Sequence, residues 1–520
     1  MRKILLLATV AFMTVASVQA QRRGCLHHHV TTRSGSSSYQ LPEPYEFDAQ
    51  KTYRVPVVLF SFSDLDFSMA NPAAYYNRLF NEPGFNEGKG KGCVADYFRD
   101  QSAGRLNLLF DIYGPVKIDK KARDHTYYDD GWEDMRKVLS LLAENTDADF
   151  TVYDWNGDGR ANEVIFIAAG LMGNATNGFS YLGPSSYYQV TNTKLPGGID
   201  YYYYSLNCER VQGDILSGIG TIVHEFCHSL GLPDLYPLGS GTAFSTVDEW
   251  DLMDGGNITN YGWCPPNLSA MELMYLGWSL PEELASPATI DDMKPLGEGG
   301  KTYLVRSTSN SNEYYLLENR RQEGWDYGCP GNGLLIFHVD FDREAWLDNQ
   351  VNTSDKHYRY GLFHASGKDF RAWCPQNNGK DFTRWTDDNW LHSSYLSTSP
   401  YPYTTPETLA VNNSLTDGSS PAATLFTPAA DGRYLMGKPI TNIRLSADGT
   451  ISFDFMKGED TGVETMSDEF ATPHYDMQRN GLMTEGWYTI DGHRLPCRPT
   501  AKGLYCRRTA AGGFEKIVHK

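Results

Sequence analysis

Basic residues are in short supply in this sequence. It has 45 Lys and Arg against 64 Asp and Glu, leaving a formal charge of −19. Nucleic acid demands clustered Lys and Arg, and an anionic membrane demands a basic face, so neither partner is expected. Past residue 20 there is no apolar run long enough to span a bilayer. The nine cysteines, at 25, 93, 208, 227, 264, 329, 374, 497 and 506, contain no CxxC pair. A cysteine-type zinc site is therefore not expected. In an oxidising compartment Cys497 and Cys506 are the nearest plausible couple. No long internal repeat is present.

What is there points outward from the cell. MRKILLLATVAFMTVASVQA opens with Arg2 and Lys3, continues as a short apolar run and ends in Val18-Gln19-Ala20. That is the pattern of a secretory signal peptide cleaved near Ala20, so an exported or cell-surface protein is expected. The length, 520 residues, predicts more than one domain. Residues 21–50 are rich in Ser, Pro and Gly and read as an N-terminal segment, a candidate pro-segment. Residues 51–282 mix apolar strands such as YRVPVVLFSFSD with helical patterns such as WEDMRKVLSLLAEN, an α/β (α+β) catalytic domain. LNLLFDIYGPVKI reads as a strand pair. IDYYYYSLNCE reads as a half-exposed edge strand, whose Tyr201–Tyr204 run could pair with a substrate strand. Residues 283–457 carry short strands separated by Gly, Asn, Asp and Pro, an all-β sandwich. A polar linker (458–485) and a short β tail (486–520) follow.

The chemistry centres on TIVHEFCHSLGLPDLY, residues 221–236. On a helix running from about 214, His224 and His228 share one face and can hold one zinc ion. Glu225 sits beside that face, placed to act as base towards an attacking water. Gly231 can end the helix and Pro233 prevents its continuation, so the chain turns back and can bring Asp234 to the metal. No third histidine stands there; a carboxylate is a good zinc ligand. Glu272, on the segment SAMELMYLGW, is the rival third ligand. Cys227 reads as a small buried apolar residue. Tyr236 and Tyr261 read as packing residues that could also reach a transition state.

HExxHxxGxxD followed by EWDLMDGGN resembles the metzincin group of zinc peptidases. The wording HEFCHSLGLPDLY, WDLMDGG and CPPNLSAMELMYLGW is similar to the immune inhibitor A family of secreted metallopeptidases. So are CVADYFRDQSAGRLNLLFDIYGPV, DWNGDGRANEVIFIAAG and EYYLLENRRQEGWDYGCPGNGLLIFHVD, and the likeness runs over about residues 53–455. It implies a metzincin-like fold, extracellular proteolysis of protein or peptide substrates, one catalytic zinc and bound calcium. It also implies that Met253 is the Met-turn residue beneath the zinc, which favours Asp234 over Glu272. Position 227, commonly Gly in that family, is Cys here.

Secondary features remain. Asp154, Asn156 and Asp158 follow the alternation of an EF-hand loop, with Glu163 as a further candidate ligand for calcium; the bidentate glutamate at the twelfth position is missing. His27, His28 and His29, with Cys25, could mask the zinc in a latent form. His338 and Asp340 alternate on one strand and could hold an ion or bond to each other. The tail, WYTIDGHRLP to GFEKIVHK, resembles C-terminal sorting domains of proteins exported by type IX secretion, whose machinery is then a partner. The competing expectation to a zinc metalloendopeptidase is a surface binding protein or adhesin on an inactive peptidase scaffold.

Overall fold

A computed structural model describes residues 46–457, apart from 123–131, 172–184, 189–193, 239–244, 246, 355–356 and 369–394, and in addition four strands between 486 and 519. The expected signal peptide, residues 21–45 of the N-terminal segment with Cys25 and His27–His29, and Cys497 lie outside the described residues. The chain forms two units, one through Glu459 and one covering Asp460–Lys520.

In the larger unit the first sheet forms from β1 (Thr52–Ser61), β2 (Asn107–Lys117), β3 (Arg160–Leu171), β4 (Ser185–Tyr188), β5 (Asp200–Gln212) and β6 (Ile215–Leu216). The order is β2-β1-β3-β5-β4, with β6 paired to β5. β1, β2, β3 and β5 run parallel, and β4 lies antiparallel to β5. Side chains of a strand alternate between faces, and here both faces are buried. Tyr53, Val55, Val57 and Leu59 enter one core, while Val58 and Phe60 enter another. The second core is closed by α3 (Trp132–Glu144) through Met135, Val138, Leu139 and Leu142. The first core lies against α1 (Pro72–Asn81), α2 (Val94–Gln101) and α4 (Gly220–Ser229).

Three expectations change here. LNLLFDIYGPVKI is the single strand β2, not a pair. The tyrosine run is covered in part: β5 is hydrogen-bonded to β3 on one side and, at Tyr203–Leu206, to β4 on the other, so among the described residues β4 is the edge there. Tyr201, Tyr203 and Tyr204 are buried accordingly. The helix carrying the histidines begins only at Gly220, because Ile215–Leu216 before it are drawn into β6 against β5; at Gly220 itself a Cβ would collide with the Asn257 carbonyl.

α5 (Ala270–Tyr275) and α6 (Arg343–Leu347) accompany β7 (Glu282–Glu283), β8 (Ala288–Met293), β9 (Tyr303–Arg306), β10 (Glu313–Arg320), β11 (Gly333–Asp340) and β12 (Tyr360–Leu362). A five-stranded sheet has the order β12-β11-β10-β9-β7. β13 (Tyr403–Thr404) pairs with β14 (Val411–Asn412), and β15 (Ile440–Leu445) and β16 (Ile451–Phe455) join β8 in a three-stranded sheet. The five-stranded sheet alternates cleanly. Tyr315, Leu317, Leu334 and Ile336 face the three-stranded sheet. Tyr314, Leu316, Leu335, Phe337 and Val339 face the same core as β1 and α4. Residues on either side of 282/283 thus share one core, and no separation of units falls there. The smaller unit is an antiparallel sheet of β17 (Gly486–Thr489), β18 (Arg494–Leu495), β19 (Gly503–Arg508) and β20 (Phe514–His519), ordered β18-β17-β19-β20.

Candidate metal centre

α4 is buried along its whole length. It ends where Gly231 adopts φ 96°, a left-handed conformation that glycine takes without strain. Gly231 N–H then donates to His228 C=O and Leu232 N–H to Cys227 C=O, the two bonds of a Schellman stop. The stop also serves the site. His228 Nδ1–H donates to the Leu232 carbonyl at 2.7 Å, and His224 Nδ1–H donates to the Leu252 carbonyl at 2.8 Å. A carbonyl can only accept, so both rings carry their proton on Nδ1 and turn Nε2 towards a common point.

Asp234 meets them there. Its Oδ1 lies 3.3 Å from His224 Nε2 and 3.5 Å from His228 Nε2. Three ligands about 2.0–2.1 Å from a tetrahedral ion stand about 3.3–3.4 Å from one another. The separations therefore match the edges of such a shell. His224 Nε2, wholly buried, makes no aligned hydrogen bond within the chain, as expected of an atom built for another partner. The residues fit a divalent metal with nitrogen and oxygen ligands. One ligand atom from each of His224, Glu225 and His228 lies within 4.8 Å of the others, and Glu225 is wholly buried. Burial disfavours a charged His224, but Asp234 and Glu225 outweigh it and push its pKa up to about 9. A metal at this point competes with a proton.

Glu272 is engaged elsewhere. It caps α5, accepting from Ser269 N–H at 2.5 Å and Ser269 Oγ at 3.0 Å. Burial, and then the adjacent Asp251 carboxylate, raise its pKa well above the usual range. Met253 is fully buried; its N–H donates to Asp251 Oδ1 and its carbonyl accepts from Leu235, the neighbour of Asp234. Cys227 is buried in the core, and Cys93, Cys208, Cys264 and Cys329 are likewise buried and unbridged. Tyr236 is half-buried in the Asp234 loop, and Tyr261 is exposed at φ 59°.

The second candidate metal loop is tied together by its own hydrogen bonds. Asp154 Oδ1 accepts from Gly157 and Asp158 N–H, and its Oδ2 from Gly159 N–H. Asp158 Oδ2 accepts from Tyr202 OH at 2.6 Å and from Asn156 Nδ2 at 3.1 Å. Glu163 is not part of this cluster. β3 turns it inward, towards Ser205 and Ser229, near Glu225. His338 and Asp340 do not bond to each other. His338 Nε2 pairs with Glu313 Oε1 and Asp340 Oδ2 with His357 Nε2, each at 2.8 Å.

Glu163 carries a pH dependence of its own. Burial raises its carboxyl to about 8; the Ser205 and Ser229 hydroxyls, which stop short of hydrogen-bond geometry, pull it down, and Glu225 pushes it up. Between about 4.5, the usual carboxyl value, and 8 the folded chain holds a proton that the unfolded chain has released. Stability from this group therefore falls as pH rises through that window. Glu163→Gln removes the effect. Urea unfolding should show the variant gaining on the wild type from pH 5 to pH 8, by on the order of a few kcal/mol. A constant difference across that range would contradict the assignment.

Comparison with known proteins agrees with this geometry at a coarse level. No protein-family model matches the chain. It is 24% identical over 283 residues to Immune inhibitor A of Bacillus thuringiensis subsp. alesti, covering 46% of this chain and 40% of that protein. It is 22% identical over 218 residues to the Pre-pro-metalloprotease PrtV of Vibrio cholerae serotype O1 (strain M66-2), covering 36% of this chain and 24% of that protein. The matches thus span less than half the length of either relative. The chain has a distant, partial similarity to metalloproteases. Among the described residues no helix is long and apolar enough to cross a membrane.

Proposed function

We propose that the chain is a secreted zinc-dependent endopeptidase. The observation that carries this reading is the triangle of His224 Nε2, His228 Nε2 and Asp234 Oδ1, with edges of 3.3 and 3.5 Å at Asp234, beside the buried carboxylate of Glu225. His224, His228 and Asp234 would hold the zinc. Zinc bound there would supply Lewis acidity towards the scissile carbonyl and the attacking water. Glu225 does the proton work. It takes a proton from the water as that oxygen attacks the peptide carbon, then delivers it to the leaving nitrogen. The edge strand β4 is hydrogen-bonded to β5 along one side, and its other side suits an extended peptide added as a further strand. Met253 would be the floor of the site; its backbone bonds to Asp251 and to Leu235, next to Asp234, support that reading.

An acidic chain fits work outside the cell, and the C-terminal sheet suits a sorting or attachment module. The test compares casein cleavage by wild type and Glu225→Gln. Equal cleavage by the two would overturn the role given to Glu225; none by a zinc-loaded wild type would leave a binding protein on a peptidase scaffold.

A further inference from the structure

The third ligand of the proposed site is held from an unexpected direction. Asp234 N–H donates to Asn349 Oδ1 at 2.6 Å, and Asn349 Nδ2–H donates to Asp234 Oδ2 at 2.8 Å. One amide thus grips both the backbone and the side chain of Asp234, across 115 residues of sequence. With Oδ2 tied in this way, Oδ1 is the oxygen that meets the two imidazoles at 3.3 and 3.5 Å. The residues around Asn349 brace the same loop. Trp346 Nε1–H donates to the Gly231 carbonyl at 3.1 Å, Asn352 Nδ2–H to the Leu235 carbonyl at 2.7 Å, and Leu238 N–H to the Asn352 carbonyl at 3.2 Å.

Asparagine suits this position for three separate reasons. Asn349 stands just past α6 at φ 55°, where asparagine is among the few side-chain-bearing residues that sit easily. Its amide oxygen accepts the Asp234 N–H. Its amide nitrogen donates to the Asp234 carboxylate. Aspartate lacks the donor, and alanine lacks both.

We propose that Asn349 is a positioning residue of the metal centre, which aims the Asp234 carboxylate at His224 and His228. The inference rests on the reading of that triad as a zinc site. It makes the segment after α6 part of the centre, although Asn349 touches neither metal nor substrate. Groups that orient a metal ligand typically carry 10–100-fold in affinity.

The test is a zinc titration of the full chain against a chromophoric chelator. Asn349→Ala should weaken zinc binding by about 10–100-fold. Asn349→Asp, which keeps the shape but opposes two carboxylates, should weaken it at least as much. In an Asp234→Ala background, Asn349→Ala should change zinc affinity no further, because the ligand it orients is gone. Asn349→Asp also covers the case in which the alanine variant fails to fold, since it preserves volume and backbone preference. Wild-type affinity in both single variants, or an equal loss in the Asp234→Ala background, would overturn the inference while leaving the zinc reading intact. A wild type that takes up no zinc would overturn both.

Discussion

Glu225→Gln is expected to lower kcat/KM for casein by roughly 10²–10⁴ with zinc still bound. The size follows from the chemistry assigned to one atom pair. Glutamine keeps the shape of Glu225, but its amide cannot take a proton from water or return one to a leaving amine. The ligands are untouched: each histidine is fixed by a backbone carbonyl, of Leu252 or Leu232, and Asp234 approaches from the loop. Metal content should therefore not change, and kcat should fall more than KM rises. Loss of zinc together with activity would mean that Glu225 holds the site together instead of serving the reaction.

Arg320→Leu should destabilise the fold by about 3–5 kcal/mol in urea unfolding, the usual cost of stranding buried charge. Arg320 is fully buried. Its Nε donates to Glu318 Oε1 at 2.8 Å, and its Nη1 donates to Asp326 Oδ1 at 2.7 Å. Those carboxylates hold the entrance to α5: Glu318 Oε2 accepts from Ala270 N–H at 2.7 Å, and Asp326 Oδ1 from Asn267 N–H at 2.9 Å. Leucine would leave two carboxylates in a dry interior with no countercharge. Burial already raises Glu318, and the nearby guanidinium draws it back. The loss should shrink towards pH 5, where the stranded Glu318, already raised by burial, can take up a proton. A triple variant, Arg320→Leu with Glu318→Gln and Asp326→Asn, should recover part of it. A loss below about 1 kcal/mol in the single variant would show that the pair is not shielded from water as its burial implies.

Legibility in the sequence follows physical range. β1, β3, β10 and β11 were readable because alternation and apolar runs are local signals, and the helix stop at Gly231 was readable from one glycine and one proline. The tyrosines of β5 misled, because their polar tips suggest an edge while their rings are buried on both faces. Glu163 misled in another way. Its spacing from Asp154 imitates a calcium loop, yet a glutamate inside ANEVIFIAAG stands in a buried strand, and that apolar setting was the better signal. Asn349, Arg320 and the Asp251–Glu272 pair left no local trace. Asn349 reaches Asp234 across 115 residues, where only the fold brings donor and acceptor together; Arg320 has its partners two and six residues away, but nothing local tells that the three charges are buried. The two cores that β10 and β11 share left no such local trace either: these strands present one face to each neighbouring layer, which a change in strand texture does not reveal.

The choice of third ligand is the claim on which the rest stands. Its direct test is zinc per chain, measured by elemental analysis after dialysis against a weak chelator, for wild type, Asp234→Ala and Glu272→Gln. One zinc in wild type and in Glu272→Gln, with most of it lost from Asp234→Ala, is the predicted result. Zinc kept by Asp234→Ala and lost from Glu272→Gln, or no zinc in wild type, would contradict it.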